Sequence, residues 1–211
     1  ISHLSELSES GDKVLLCYGG GSIKKAGIYD EAVKILKEED IEIFELSGIA
    51  PNPKIESVRE GVKLCKENDI DMVLAIGGGS VIDCAKVVAA GACYDGDPWD
   101  LVITPRWIKK ALPIYSVLTL SATGSEMDPF AVISDMSKNE KWGTSSEHMK
   151  PKMSILDPEY TYSVSKKQTA AGTADMISHI CENYFTNVKN ADVQARFAEG
   201  LLKNCFKYGP I

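Results

Sequence analysis

At 211 residues the chain is longer than one average domain and shorter than two comfortable ones, so a main domain with a partial second one is expected. Hydrophobic residues make up 44% and charged residues 25%, the net charge is −7, and basic residues do not cluster beyond a pair, which excludes a disordered chain and a phosphate-backbone-binding surface. No apolar stretch reaches the ~18 residues of a membrane span and no signal-peptide pattern opens the chain, so a cytoplasmic protein with small-molecule partners, no nucleic acid and no membrane, is expected.

The first elements, in chain order, read as alternating strands and helices. Residues 13–18 (KVLLCY) form a buried strand that ends in Gly19-Gly20-Gly21-Ser22. A helix from about Tyr29 to Glu38 shows an apolar face of Ala32, Val33, Ile35 and Leu36, and a strand follows at Ile41 to Leu46. After a loop from Gly48 to Pro53, Ile55, Val58, Val62 and Cys65 recur at helical spacing, and Met72 to Ile76 is a second apolar strand. Gly77-Gly78-Gly79-Ser80 closes that strand and leads into a nearly all-apolar helix from Val81 to Ala92. Further strands are expected at Ile114 to Leu118, Ala131 to Ser134 and Met153 to Leu156, all in a largely parallel sheet with right-handed crossovers. From about Ser165 the texture turns helical, with helices at Lys166 to Phe185 and Asp192 to Phe206 that cannot close a core by themselves. The fold class expected is therefore α/β, a parallel-sheet dinucleotide-binding domain over residues 1–162 followed by the start of an all-helical metal-binding domain over 163–211. The six cysteines lack C-x-x-C spacing and read as reduced, mostly buried thiols.

Glycines at a strand end let backbone N–H groups approach phosphate oxygens, and the helix that follows adds the positive end of its dipole. One G-G-G-S run is equally well a tight turn, but two in tandem β-α units point to a dinucleotide, although neither fits the G-x-G-x-x-G fingerprint. The hydroxyl-rich segment from Thr119 to Glu126 also follows a strand and suits ribose or diphosphate, or is simply a capped loop. Asp175 and His179 stand four apart on one helix face, the spacing of a metal-ligand pair as well as of a plain surface contact. His3 and His148 read as solvated side chains.

These residues resemble the iron-dependent alcohol dehydrogenases, in the branch of the butanol dehydrogenases and NADPH-dependent aldehyde reductases. The likeness rests on Tyr18-Gly-Gly-Gly-Ser-Ile-Lys-Lys-Ala-Gly-Ile-Tyr-Asp30, Pro51-Asn-Pro53, Gly77-Gly-Gly-Ser-Val-Ile-Asp-Cys-Ala-Lys86, Ala122-Thr-Gly-Ser-Glu126, Leu156-Asp-Pro158 and Ala174-Asp-Met-Ile-Ser-His-Ile-Cys-Glu182. It implies alcohol and aldehyde interconversion by metal-assisted hydride transfer, in a cleft between the two domains. By the same resemblance Gly78, Gly79 and Ser80 would cradle the diphosphate, and Asn52 with Gly20, Gly21 and Ser22 would flank the adenosine ribose. Thr119 and Ser125 would approach the nicotinamide, and Asp83 and Lys141 would contact the cofactor.

Space at Gly20 and Gly21 and the cations Lys24 and Lys25 favour NADP(H) over NAD(H). The family's metal, Fe2+ with Zn2+ also compatible with such donors, is held by one aspartate and three histidines, of which Asp175 and His179 match the first two. No histidine follows His179, and the family's N-terminal strand, often part of dimer contacts, has no counterpart before the helix that holds Leu4 and Leu7. A homodimer is implied for the full-length protein, and Met127-Asp128-Pro129 departs from the small polar residues common there. A polyol dehydrogenase, a dehydroquinate synthase and a nucleotide-binding fragment without catalysis are the rival readings.

Overall fold

A computed structural model describes residues 1–210. Its centre is a five-stranded, fully parallel sheet in the order β2-β1-β3-β4-β7, formed by Lys13–Tyr18 (β1), Glu42–Leu46 (β2), Met72–Gly77 (β3), Ile114–Leu118 (β4) and Met153–Ile155 (β7). Every residue of β3 and β4 is buried, as a parallel strand covered on both faces requires, which is why these segments read as unbroken apolar runs. One face of the sheet carries Ile55–Asn68 (α3), Gly79–Ala92 (α4) and Pro98–Ile103 (α5); Val58, Ile82, Val88 and Trp99 pack there against Leu15, Val73 and Ala75. The other face carries the 3-10 helix Ser2–Ser10 and Ile28–Glu38 (α2), through Leu4, Leu7, Ala32 and Leu36. Helices α2 and α4, which follow the neighbouring strands β1 and β3, thus lie on opposite faces of the sheet, and a crevice opens at the carboxyl ends of those two strands, the place where open α/β sheets bind ligands. At Gly61 a Cβ would stand 2.6 Å from Val88 Cγ2, so the α3–α4 approach depends on the missing side chain.

The segment expected as a further strand of the main sheet, Ala131 to Ser134, lies elsewhere: Phe130–Asp135 (β5) pairs antiparallel with Glu140–Ser145 (β6) in a separate hairpin. Asp135 closes its turn by accepting from the backbone N–H of Ser137 at 3.0 Å, and Asn139 adopts the left-handed conformation with φ 53°. Helix α5 and the four-residue helix Ser22–Lys25 (α1) were not expected; α5 is capped by Asp97, whose carboxylate accepts from Trp99 N–H at 2.8 Å ahead of Pro98. Lys166–Tyr184 (α6) and Asp192–Tyr208 (α7) pack on each other. They bury few side chains and leave Phe185, Phe197 and Phe206 mostly exposed. Helix α6 meets the α/β unit where Gly172 faces the Ser121 carbonyl, 3.0 Å from a would-be Cβ. All six cysteines are free; Cys17, Cys65 and Cys84 are buried, Cys181 and Cys205 half-buried and Cys93 exposed, so burial is less general than expected.

Candidate dinucleotide and metal site

The crevice between the glycine loops is a cavity of about 180 Å3 lined by Gly19, Ser22, Gly77, Gly78, Thr119 and Leu120, and closed on its far side by Tyr160, Ser163 and Gln168. Helix α4 begins in it with Gly78 as N-cap, so no side chain satisfies the first N–H groups of the helix and they stay available to an anion. A Cβ at Gly79 would lie 2.5 Å from Thr123 Oγ1 and one at Gly78 would lie 3.1 Å from Leu120 Cβ, so the Thr119–Gly124 loop closes directly over the cradle. The first glycine loop is looser. Gly20 and Gly21 have open space around them, Gly21 at φ 100°, and only Ser22 and Gly19 of that loop line the crevice.

Beside the cradle, Asn52 at φ 53° donates its backbone N–H to Ser80 Oγ at 3.2 Å, and its side-chain oxygen accepts from Lys141 Nζ at 2.7 Å. Three residues expected at the cofactor, from the β2–α3 loop, α4 and β6, therefore meet at one rim. Lys141 owes its place to the hairpin, which the sequence reading did not foresee.

Asp83 and Ser125 also meet, though Ser125 is 2% exposed and its hydroxyl is engaged inside the protein: it donates to Asp83 Oδ1 at 2.6 Å and accepts from Lys86 Nζ at 3.0 Å. Asp83 Oδ2 accepts from Val132 N–H at 2.9 Å. Burial raises the Asp83 carboxyl above its usual range, opposed by the Ser125 and Val132 hydrogen bonds. Burial likewise lowers Lys86, opposed by its contact with Asp128. Sequence reasoning assigned Lys86 no task, although a charge inside a nearly all-apolar helix signals a buried, paired ion. Tyr160, Ser163 and Gln168 carried no such signal, because only tertiary placement brings the 158–168 segment over the crevice.

Lys24, one of the two cations expected near a 2′-phosphate, has partners within the protein. Its ammonium lies 3.8 Å from Glu45 and over the rings of Tyr18 and Tyr29, at 4.9 and 4.2 Å from their centroids. Glu45 accepts from both tyrosine hydroxyls, which holds its carboxyl below the usual range, and Tyr29 is pushed up to about 12 by that hydrogen bond.

A second cavity, about 560 Å3, lies on the other side of the same loop, between Ala122, Thr123, Gly124 and the helices α6 and α7. His179 lines it with Met176, Ile180 and Leu201, whereas Asp175 is not among its lining residues. His179 Nε2 stands 3.7 Å from Asp175 Oδ2, and Nδ1 stands 3.4 Å from Glu182 Oε2. A carboxylate and an imidazole at this separation, both with open faces, fit two donors of a metal site. Among the described residues no group of three or more His, Cys, Asp or Glu is arranged so that it could hold a metal ion. His3 pairs with Glu6 and stays exposed, and His148 sits exposed in the short turn Glu147–Met149.

Residues 1–158 match the iron-containing alcohol dehydrogenase family. NADH-dependent butanol dehydrogenase A of Clostridium acetobutylicum is 59% identical over 206 residues, 98% of this chain and 53% of the relative. The NADPH-dependent aldehyde reductase YqhD of Escherichia coli is 42% identical over 213 residues, 100% of this chain and 54% of the relative. The crystal structure of NADH-dependent butanol dehydrogenase A from Thermotoga maritima aligns with a TM-score of 0.93 at 45% identity, covering 99% of this chain and 53% of that one. The chain thus spans about half the length of the curated relatives it matches. With the family matched over most of its length and the fold shared with solved members, the chain belongs to the iron-containing alcohol dehydrogenases.

Proposed function

We propose that this chain binds a nicotinamide dinucleotide across the glycine crevice and forms part of an oxidoreductase that interconverts small alcohols and aldehydes by hydride transfer. The observation that carries the reading is the shared wall: Thr119 and Leu120 border the crevice while Ala122, Thr123 and Gly124 border the cavity that His179 enters. A diphosphate held on the N–H groups of α4 directs one end of the dinucleotide along this loop toward α6. The rim of Asn52 and Lys141 offers an amide and a cation to the ribose-phosphate portion. Met176, Ile180 and Leu201 supply an apolar wall that excludes water and receives an alkyl chain. Asp175 and His179 would provide two of the donors for a divalent iron, or zinc, which when bound supplies Lewis-acid polarisation of the substrate oxygen. Glu182 Oε2 lies 3.4 Å from Nδ1, so a second carboxylate flanks the imidazole across the ring from Asp175.

The NADP(H) preference rested on the space at Gly20 and Gly21, which is open, and on the cations Lys24 and Lys25. With Lys24 drawn to Glu45 and the two tyrosines, only Lys25 remains for a 2′-phosphate. The relatives from Clostridium acetobutylicum at 59% and 58% identity are named NADH-dependent, against 42% for the one named NADPH-dependent. We therefore favour NAD(H), reversing the expectation from sequence. The reading also keeps a dinucleotide-binding unit over 1–162, a helical unit from 163, a homodimer and a cytoplasmic location. No helix among the described residues is long and apolar enough to cross a membrane, and the cysteines are free.

A second reading, dinucleotide binding without turnover, is favoured by the donor count among the described residues. One experiment separates them: NADH and NADPH are titrated into the 211-residue chain by nicotinamide fluorescence, and butyraldehyde and Fe2+ are then added. Saturable NADH binding is expected. Its absence would remove the dinucleotide reading; binding with steady NADH oxidation would remove the reading without turnover.

A further inference from the structure

Lys86 is 0% exposed in the second turn of α4, a position where an ammonium ion is costly unless its donors are fully satisfied. It is satisfied. Nζ donates to Ser125 Oγ at 3.0 Å, to the Asp128 carbonyl at 2.8 Å, to Asp128 Oδ1 at 2.9 Å and to the Phe130 carbonyl at 2.8 Å. Every one of these acceptors lies in one short stretch, between the end of the Thr119–Gly124 loop and the start of β5. One turn earlier on the same helix, Asp83 accepts from Ser125 Oγ and from Val132 N–H, so the two charges flank a common hydroxyl.

The same helix begins with Gly78, Gly79 and Ser80. Its first turn is the phosphate cradle and its second turn grips the loop that closes over that cradle, close enough for a Gly79 Cβ to strike Thr123. A fully bonded anchor fixes a distance more stiffly than apolar contact does, because every displacement strands a donor or a carbonyl.

We propose that Lys86 is a positioning residue of the dinucleotide site: through Ser125 it sets the gap between the Gly78–Ser80 cradle and the Thr119–Gly124 loop, and so the seat of the nicotinamide half. The assignment rests on the dinucleotide reading above. It predicts a division that a purely structural lysine does not produce, because ADP lacks the nicotinamide half and needs only the cradle side.

The test is a pair of titrations, NADH and ADP, on the folded 211-residue chain and its Lys86→Met variant, with urea unfolding alongside. The NADH Kd is expected to rise about tenfold or more, the size expected when a charge-assisted anchor is lost, while the ADP Kd moves less than about threefold. Should Lys86→Met fail to fold, Ser125→Ala decides, since it leaves Lys86 its Asp128 and Phe130 acceptors; the same division, about threefold against no change, is expected. Equal effects on both ligands, or none, in a folded variant would overturn the proposal and leave Lys86 a stabilising ion. A wild-type chain that binds ADP and not NADH, or neither, would instead strike the dinucleotide reading, and the proposal with it.

Discussion

Lys141 Nζ donates to Asn52 Oδ1 at 2.7 Å, joining a hairpin strand to the loop after β2 at the rim where Asn52 also contacts Ser80. The contact is exposed on both sides, so its value to folding is small, and its residues are free to serve a ligand. Lys141→Ala and Asn52→Ala are each expected to weaken NADH binding about tenfold, with the double variant weaker by clearly less than the product, because the residues act on the ligand together. Calorimetric titration checks this; strictly multiplicative losses would show that the two act independently.

Gly79→Ala tests how tightly the loop closes. The added methyl would sit 2.5 Å from Thr123 Oγ1, so the loop must move outward. A stability loss of about 1–3 kcal/mol is expected from overpacking. The NADH Kd should rise by more than that of a Gly20→Ala variant, where open space surrounds the site. Equal Kd values for the two variants would mean that the second loop is no cradle.

The Glu45 cluster gives stability a defined pH dependence. The folded carboxyl lies below its usual range because Tyr18 and Tyr29 donate to it, so its contribution is present above the unfolded pKa, near 4.5, and is lost as pH falls through the folded value. Tyr29, raised to about 12, contributes fully below its ordinary value of 10.0, and that contribution is lost as pH rises through about 12. Urea unfolding of wild type and Glu45→Gln should differ by up to about 1 kcal/mol at pH 7, a modest figure because the pair with Lys24 is solvent-screened, and the difference should shrink toward pH 3. A difference that is constant with pH would count against the carboxylate.

Metal affinity should depend on His179 more than on any other histidine. Co2+ titration followed by absorbance is expected to show weak binding that His179→Ala abolishes and that His148→Ala leaves unchanged. Loss of binding in His148→Ala, with retention in His179→Ala, would place the donors elsewhere.

Much of this was legible in the residues. The parallel strands could be read because full burial on both faces leaves unbroken apolar runs, as in Met72–Gly77, and the glycine loops because each ends such a run. The hairpin could not, since Glu140–Ser145 is mostly exposed and lacks an apolar run, and its partner alternates in burial as a half-buried strand does. Helix α5 escaped for want of length, although Asp97-Pro98 is a clear helix start. Asp175 and His179 were visible through their spacing and the Ala174–Glu182 string, whereas the wall that places His179 beside Thr123 depends on the Gly172–Ser121 approach, which no local pattern announces. The charge of Lys24 was visible in the sequence and its partner Glu45 on β2 was not.

The most direct measurement is a crystal structure of the chain with NADH bound. The diphosphate is expected on the N–H groups at the start of α4, with the nicotinamide running along Thr119–Gly124 toward His179. A dinucleotide seated outside the crevice, or one whose nicotinamide points away from α6, would contradict the account.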